Sequence, residues 1–151
     1  MGVECVILVG LPASGKSTFY LQRFAGSHVH VSKDLWPNSA SKASRQAREL
    51  DSALSAGRSV VVDNTSPAVA DRALVIATAR KHGARVIGYY FAATTREAIG
   101  RNRGREGPAR VPDVAVFTTA KRMVVPTRSE GFDELYGVAI APDGGFDVQP
   151  I

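Results

Sequence analysis

Eight residues near the start of the chain constrain its fold more than any other stretch: Gly10-Leu11-Pro12-Ala13-Ser14-Gly15-Lys16-Ser17. They follow the apolar run Cys5-Val6-Ile7-Leu8-Val9 and lead into a segment with helical spacing. This is the G-x-x-x-x-G-K-[ST] phosphate-binding loop in the context it requires, strand before and helix after. A polyphosphate carries several negative charges, and backbone N–H groups surround it only where no Cβ stands in the way. Gly10 and Gly15 permit that approach, and a helix beginning near Lys16 adds its positive end. The expected contacts to a nucleoside triphosphate are Gly10, Pro12, Ala13, Ser14, Gly15, Lys16, Ser17 and Thr18. Lys16 is expected on the β- and γ-phosphates and the Ser17 hydroxyl on Mg²⁺.

The 151 residues suffice for one core, and a single domain over 1–151 is expected. Hydrophobic content of 44% with 22% charged residues excludes a disordered chain. No apolar run approaches the roughly 20 residues of a membrane span, and residues 5–9 are too few for a signal peptide, so a cytoplasmic location is expected. Cys5 is the only cysteine, which excludes a disulfide framework and a cysteine zinc site; it is expected to pack as a small apolar side chain. The net charge of +5 is concentrated. Residues 101–128 hold Arg101, Arg103, Arg105, Arg110, Lys121, Arg122 and Arg128 against Glu106 and Asp113 alone, and elsewhere the charges cancel. A local basic cluster points to a polyanion.

Strands are expected at Glu4–Val9, His28–Ser32, Ser59–Asp63 and Arg85–Phe91, with Tyr136–Ala141 as an edge strand and an unpatterned tail after Pro142. Helices are expected over Lys16–Phe24, from a cap at Asn38 or Ser39 to Ala56, and from Ser66-Pro67 to His82. Further helices are expected from Thr94 or Thr95 into the arginine-rich segment, and from Pro112 to Met123. In the second helix Ala43, Ala47, Leu50 and Leu54 form the apolar face; in the third it is Ala70, Ala73, Leu74 and Ala77. Alternation of strands and helices predicts an α/β fold: a three-layer α/β/α phosphate-loop NTPase core. It has a central parallel sheet of four to five strands and an arginine-bearing lid over about 94–122.

The loop indicates a bound triphosphate and leaves the reaction open. The guanine-reading N-K-x-D motif of small GTPases is absent. The valine-rich strand ends Asp63-Asn64, without the tandem acidic pair usual in motor-type and AAA+ ATPases. Phosphoryl transfer to an acceptor hydroxyl remains, which requires a held γ-phosphate, spread charge and an oriented nucleophile. Asp34, at the end of the second strand, is the candidate base; its structural alternative is to cap the turn before Trp36-Pro37. Two roles stay open for Asp63: holding a Mg²⁺-bound water, or orienting the Asn64-Thr65-Ser66-Pro67 turn. Asn64 and Thr65 then face the acceptor. Arg101 and Arg105, four apart, are expected to share a helical face toward the phosphates. Arg103 points elsewhere and is assigned to the acceptor side. His28 and His30 share a strand face at metal-chelating spacing, with strand-edge packing as the competing reading.

The residues resemble the kinase domain of polynucleotide 5′-hydroxyl kinases, from about Val6 to about Phe132. The similarity rests on Gly10–Thr18, His30-Val31-Ser32-Lys33-Asp34, Asp63-Asn64-Thr65-Ser66-Pro67 with Asp71-Arg72-Ala73, Arg101-Asn102-Arg103-Gly104-Arg105-Glu106, and Pro126-Thr127-Arg128-Ser129-Glu130-Gly131-Phe132. The resemblance implies ATP and Mg²⁺ as cofactors, with Lys16 and Ser17 as nucleotide and metal ligands. It implies Asp34 as general base, and Arg101 and Arg105 as lid contacts. The implied substrate is a DNA or RNA 5′ end. The phage enzyme carries an arginine three residues after its catalytic aspartate; here Pro37 stands there. A small-molecule kinase on the same scaffold and an ATP-binding regulatory module are the alternative readings.

Overall fold

In the computed structural model, which describes residues 2–151, six strands form one sheet in the order β2-β3-β1-β4-β5-β6. They are β1 (Glu4–Gly10), β2 (Val29–Val31), β3 (Val60–Asp63), β4 (Arg85–Phe91), β5 (Glu134–Ile140) and β6 (Phe146–Pro150). Five helices connect or flank them: α1 (Lys16–Arg23), α2 (Lys42–Ser55), α3 (Val69–Lys81), α4 (Thr95–Arg103) and α5 (Asp113–Arg122). The first five strands are parallel. β6 runs antiparallel to β5, with Tyr136 opposite Pro150 and Ile140 opposite Phe146.

The expected parallel sheet of four to five strands is therefore one strand short, and Tyr136–Ala141 lies inside the sheet rather than at its edge. The unpatterned tail conceals β6 because its side chains alternate only weakly. Phe146 and Val148 face the core while Asp147 and Gln149 face solvent. The Asp143-Gly144-Gly145 turn joins the two strands, with the Asp143 carboxylate accepting the Gly145 N–H at 2.8 Å.

β1 is buried on both sides because it is central, and its alternate residues feed two cores. Cys5, Ile7 and Val9 face Leu50, Ala53 and Leu54 of α2 and Val75, Ile76 and Ala79 of α3. Val6 and Leu8 face Phe19 and Tyr20 of α1, with Phe91 and Val138. Cys5 packs as expected, and burial pushes its thiol up to about 12. A third cluster, Leu11, Ala98 and Val116, joins α4 and α5 to the loop after β1.

Two helix assignments need correction. α2 starts at Lys42, with Ser41 rather than Asn38 or Ser39 before it; the Ser39 N–H closes a turn onto the Trp36 carbonyl at 3.1 Å. Ala43 and Ala47 are exposed; only the last half of α2 reaches the sheet. α3 starts at Val69, where Asp71 accepts the Ala68 N–H at 2.9 Å, so Ser66-Pro67 remains outside it. Its expected face is the exposed one: Ala70, Ala73, Leu74 and Ala77 all point outward. The buried face is Arg72, Val75, Ile76 and Ala79, at equally good helical spacing.

The reason is Arg72, which is fully buried and bound through Nε and Nη2 to the two oxygens of Glu130 at 2.8 and 3.1 Å. Its Nη1 donates to the Ser66 and Pro67 carbonyls at 2.9 and 3.1 Å. Glu130 in turn accepts the Thr127 N–H at 2.9 Å. One side chain thus ties the loop after β3 to the turn before β5. A buried pair broken from one side leaves an uncompensated charge, at a cost of about 3–5 kcal/mol. Glu130→Ala is expected to lower unfolding free energy by about that amount, measured by urea denaturation.

Candidate active site

The strand order reverses at β1, between β3 and β4, and this opens a crevice at the carboxyl ends of the parallel strands. Into it come the loop from β1, Asp63 at the end of β3, and the 3₁₀ turn Lys33–Leu35 that follows β2. A cleft of about 360 Å³, lined by Ala25–Val29 and Gly57–Ser59, lies at the opposite ends of β2 and β3. Of the residues weighed as candidates in the sequence it contains only His28.

In the loop, a Cβ on Gly10 would stand 2.7 Å from Ser14 Oγ and 2.9 Å from Phe91 Cβ, so no side chain fits there. Gly15 precedes α1 with φ of 102°. Its absent Cβ would also meet Phe146 at 3.1 Å and Ile140 at 3.2 Å, so the β5–β6 hairpin backs the loop. Ala13 takes a left-handed φ of 63°. The Gly10 N–H donates to the Thr65 carbonyl at 3.0 Å, which joins the loop to the segment after β3. This cradle, filled by any larger residue at Gly10, fits a polyphosphate.

Lys16 is buried, with Nζ donating to the Leu11 carbonyl at 2.7 Å, the Gly10 carbonyl at 3.1 Å and Ser14 Oγ at 3.4 Å. Burial pulls its pKa from 10.5 to about 8. The charges of Asp63 and Asp34 oppose that shift and the charge of Arg105 adds to it. The three charged residues singled out in the sequence therefore act on one ammonium group.

The Ser17 hydroxyl donates to Asp63 Oδ2 at 2.8 Å, and His30 Nε2 lies 2.9 Å from the same oxygen. Asp63 is 3% exposed, and the His30 ring stacks on Tyr20 with centroids 4.0 Å apart. A hydroxyl and a carboxylate side by side are hard oxygen donors. They fit Mg²⁺, which takes one or two protein oxygens and fills its shell with water and phosphate oxygens. The chelating pair His28 and His30 is not formed: His28 Nε2 goes to Glu4 at 2.8 Å, so the two rings have separate partners on the edge strand.

Asp34 is exposed in the 3₁₀ turn, its N–H bonded to Ser32 Oγ at 3.2 Å. Asn64 accepts the Lys33 N–H through Oδ1 at 3.0 Å and donates through Nδ2 to Gln46 Oε1 at 2.6 Å. Of the expected acceptor-side residues, Asp34, Asp63, Asn64 and Thr65 gather in one crevice. Arg103 lies apart, bound to Asp113 at 3.0 Å and joining α4 to α5. The shared helical face of Arg101 and Arg105 is not formed, because α4 ends at Arg103 and Gly104 turns the chain. Arg105 follows the turn and donates to the Ala109 carbonyl at 3.1 Å. Arg101 lines a small cleft of about 60 Å³ with Ser14, Ala92, Glu97 and Val138–Ile140 beside the loop. Buried Asn102 clasps the Val111 N–H and carbonyl at 3.0 and 2.6 Å.

Sequence reasoning missed Gln46, His30 as the partner of Asp63, and the Arg72–Glu130 pair. Gln46 had no signal, being one polar residue on a mostly polar helix turn. Arg72 and Glu130 stood in the quoted motifs, but nothing in either stretch tells that the two side chains meet.

Fold and loop together define a phosphate-loop nucleotide-binding domain. The chain belongs to the AAA_33 family, described as an AAA domain, whose model matches residues 5–126. The family carries the AAA label that the sequence reading discounted; the single acidic residue at the end of β3, followed by Asn64, stands nonetheless. A protein of Schizosaccharomyces pombe named bifunctional polynucleotide phosphatase/kinase is 31% identical over 133 residues, 85% of this chain and 32% of that protein. One of Acanthamoeba polyphaga mimivirus, named for the same two activities, is 29% identical over 140 residues, 87% of this chain and 32% of its own. The chain thus spans about a third of the length of these relatives. The fold is shared with the gluconokinase of Sinorhizobium meliloti, at a TM-score of 0.64, 16% identity, and coverage of 91% of this chain and 83% of that one. It is shared also with Chaetomium thermophilum Kti12 bound to ADP-AlF3, at 0.70, 15%, 93% and 92%. Among the described residues no helix is long and apolar enough to cross a membrane.

The shifted Lys16 makes a pH prediction. Folded, it loses its proton near pH 8; unfolded, near 10.5. Between those values the unfolded chain holds more protons, so this group raises stability as pH climbs from about 8 toward 10.5. In melting curves against pH for the ligand-free protein, Lys16→Met is expected to remove that rise without lowering Tm at pH 7.

Proposed function

We propose that the protein is an ATP- and Mg²⁺-dependent phosphotransferase that moves the γ-phosphoryl group of ATP to the 5′-hydroxyl of a DNA or RNA end. The observation that carries this reading is the convergence of Asp34, Asp63 and Lys16 at the carboxyl ends of β2, β3 and β1, close enough for both carboxylates to act on the lysine charge. The relatives named as polynucleotide phosphatase/kinases support the choice of acceptor.

In this reading Lys16, the loop amides and Ser17 hold the triphosphate, and Ser17 with Asp63 holds Mg²⁺, which supplies charge neutralisation at the phosphates. Asp34 accepts the proton of the acceptor hydroxyl as its oxygen bonds to the γ-phosphorus. The bond from that phosphorus to the β–γ bridging oxygen breaks, and ADP departs. Arg101 and Arg105, on a lid of residues 94–122 seated on Leu11, spread the transferred charge. Asp63, Asn64 and Thr65 border the acceptor side, whereas Arg103, tied to Asp113, takes no part in it. Arg110, Lys121 and Arg128, all exposed, follow the acceptor's backbone.

A second reading, transfer to a sugar or other small hydroxyl compound, draws on Pro37, which stands three residues after Asp34 where the phage enzyme has an arginine, and on the fold shared with gluconokinase. The two part on charge. Offered a panel of 5′-hydroxyl oligonucleotides, nucleosides and sugars with γ-labelled ATP, the protein is expected to label the oligonucleotides. Their KM is expected to rise steeply with salt, as it does for a polyanion and not for a neutral sugar. Asp34→Ala is expected to lower transfer at least about a hundredfold, the scale of general-base removal, with ATP affinity retained. Labelling confined to sugars would replace the first reading by the second.

A further inference from the structure

We propose that Asn64, oriented by Gln46, is a positioning residue that holds Asp34 in register with the phosphate loop, rather than a contact to the acceptor. The inference rests on the reading of Asp34 as the base.

Both polar ends of the Asn64 side chain are engaged within the protein, and their orientation is fixed by chemistry. The Lys33 backbone N–H can only donate, so the atom facing it at 3.0 Å is the Asn64 oxygen. The amide nitrogen then faces Gln46, whose facing atom at 2.6 Å is its oxygen. Asp34 sits next to Lys33 in a single 3₁₀ turn, exposed and three residues long, which has little rigidity of its own. Ser32 Oγ holds the Asp34 N–H at 3.2 Å and Asn64 holds that of Lys33. These are the two side-chain bonds to the turn's backbone among the described residues.

The neighbours of Asn64 give the bond its use. Asp63 before it accepts from Ser17, and the Thr65 carbonyl after it accepts from Gly10 at the head of the loop. Three consecutive residues therefore hold the metal-side serine, the turn bearing the base, and the phosphate loop. Asn64 carries the only one of these bonds that reaches the acceptor side. Gln46 anchors it from the exposed first half of α2, the half that does not reach the sheet. A displacement of about 1 Å between reacting groups costs on the order of a hundredfold in rate.

Asn64→Leu, Gln46→Leu and Gln46→Glu test this in the full chain. Gln46→Glu keeps an acceptor for the Asn64 amide; the two leucine variants do not. On whichever acceptor of the panel the unmodified protein phosphorylates, kcat is expected to fall about a hundredfold in Asn64→Leu and about tenfold in Gln46→Leu. Gln46→Glu is expected to restore it to within about threefold. KM for ATP and the melting temperature are expected to move little. Trp36, the only tryptophan, ends the same turn, and its quenching by acrylamide reports the turn's mobility without any acceptor. Quenching is expected to rise in both leucine variants and not in Gln46→Glu. Unaltered quenching in Asn64→Leu, or a loss of activity that appears as weaker ATP binding or a lower Tm, overturns the proposal. Absence of transfer to every acceptor overturns the functional reading instead, and the quenching series still decides the proposal.

Discussion

A buried ammonium group sets the terms for the rest of the structure. Lys16 is held among loop carbonyls with its pKa drawn down to about 8, and its charge is opposed only partly by Asp63 and Asp34. A cation kept out of water in this way gains most from an anion delivered to it. A loop of this motif offers backbone N–H groups together with its lysine, so the anion that suits such a site has several oxygens rather than one. The crowding of Gly10 by Ser14 and Phe91 follows from that demand: backbone must approach where side chains would otherwise stand.

Such a loop works only if its surroundings are rigid, and its rigidity is supplied from distant parts of the chain. Leu11 is buried under α4 and α5, Gly15 is backed by Phe146 and Ile140 of the last hairpin, and Gly10 is tied to Thr65. The segment carrying Thr65 is in turn held by Arg72, whose guanidinium takes the carbonyls of Ser66 and Pro67 and both oxygens of Glu130. Ser66 has a left-handed φ of 46°, a conformation that a serine keeps only where its neighbours hold it. The buried ion pair is thus better understood as fixing the shape of a loop than as a source of net stability.

The parts of this arrangement that lie within one short stretch of sequence were legible there. The loop, the parallel strands β1 to β4, the cap of α4 at Thr94 and the place of Asp63 at the end of β3 follow from local pattern and motif, while Asp34 lies in the turn beyond β2 rather than at the strand's end. Most of what failed depended on partners far along the chain. Alanine-rich α3 offers two apolar faces; the one that turns inward packs Val75, Ile76 and Ala79 on the sheet and carries Arg72, which is accommodated only because Glu130, 58 residues beyond it, meets its charge. β6 is a strand because β5 offers it an edge, not because Phe146–Pro150 has strong strand character of its own. Arg101 and Arg105 are four apart, yet Gly104 ends the helix between them, so spacing alone misassigned their geometry.

The same distinction separates the donor half of the site from the acceptor half. Phosphate binding is built from backbone, and a motif records backbone demands because they dictate glycine. In the proposed reading the acceptor side is built from side chains on α2, on the turn after β2 and on the segment after β3. Those elements meet through hydrogen bonds that any of several polar residues could make. Asn64 joins the two halves, since it lies between residues bonded to Ser17 and to Gly10 while its own amide reaches the turn of Asp34. In the proposed reading, changes in α2 and the turn it meets would alter the acceptor and leave the surroundings of Lys16 untouched, because the phosphate loop is fixed by backbone demands that those elements do not share.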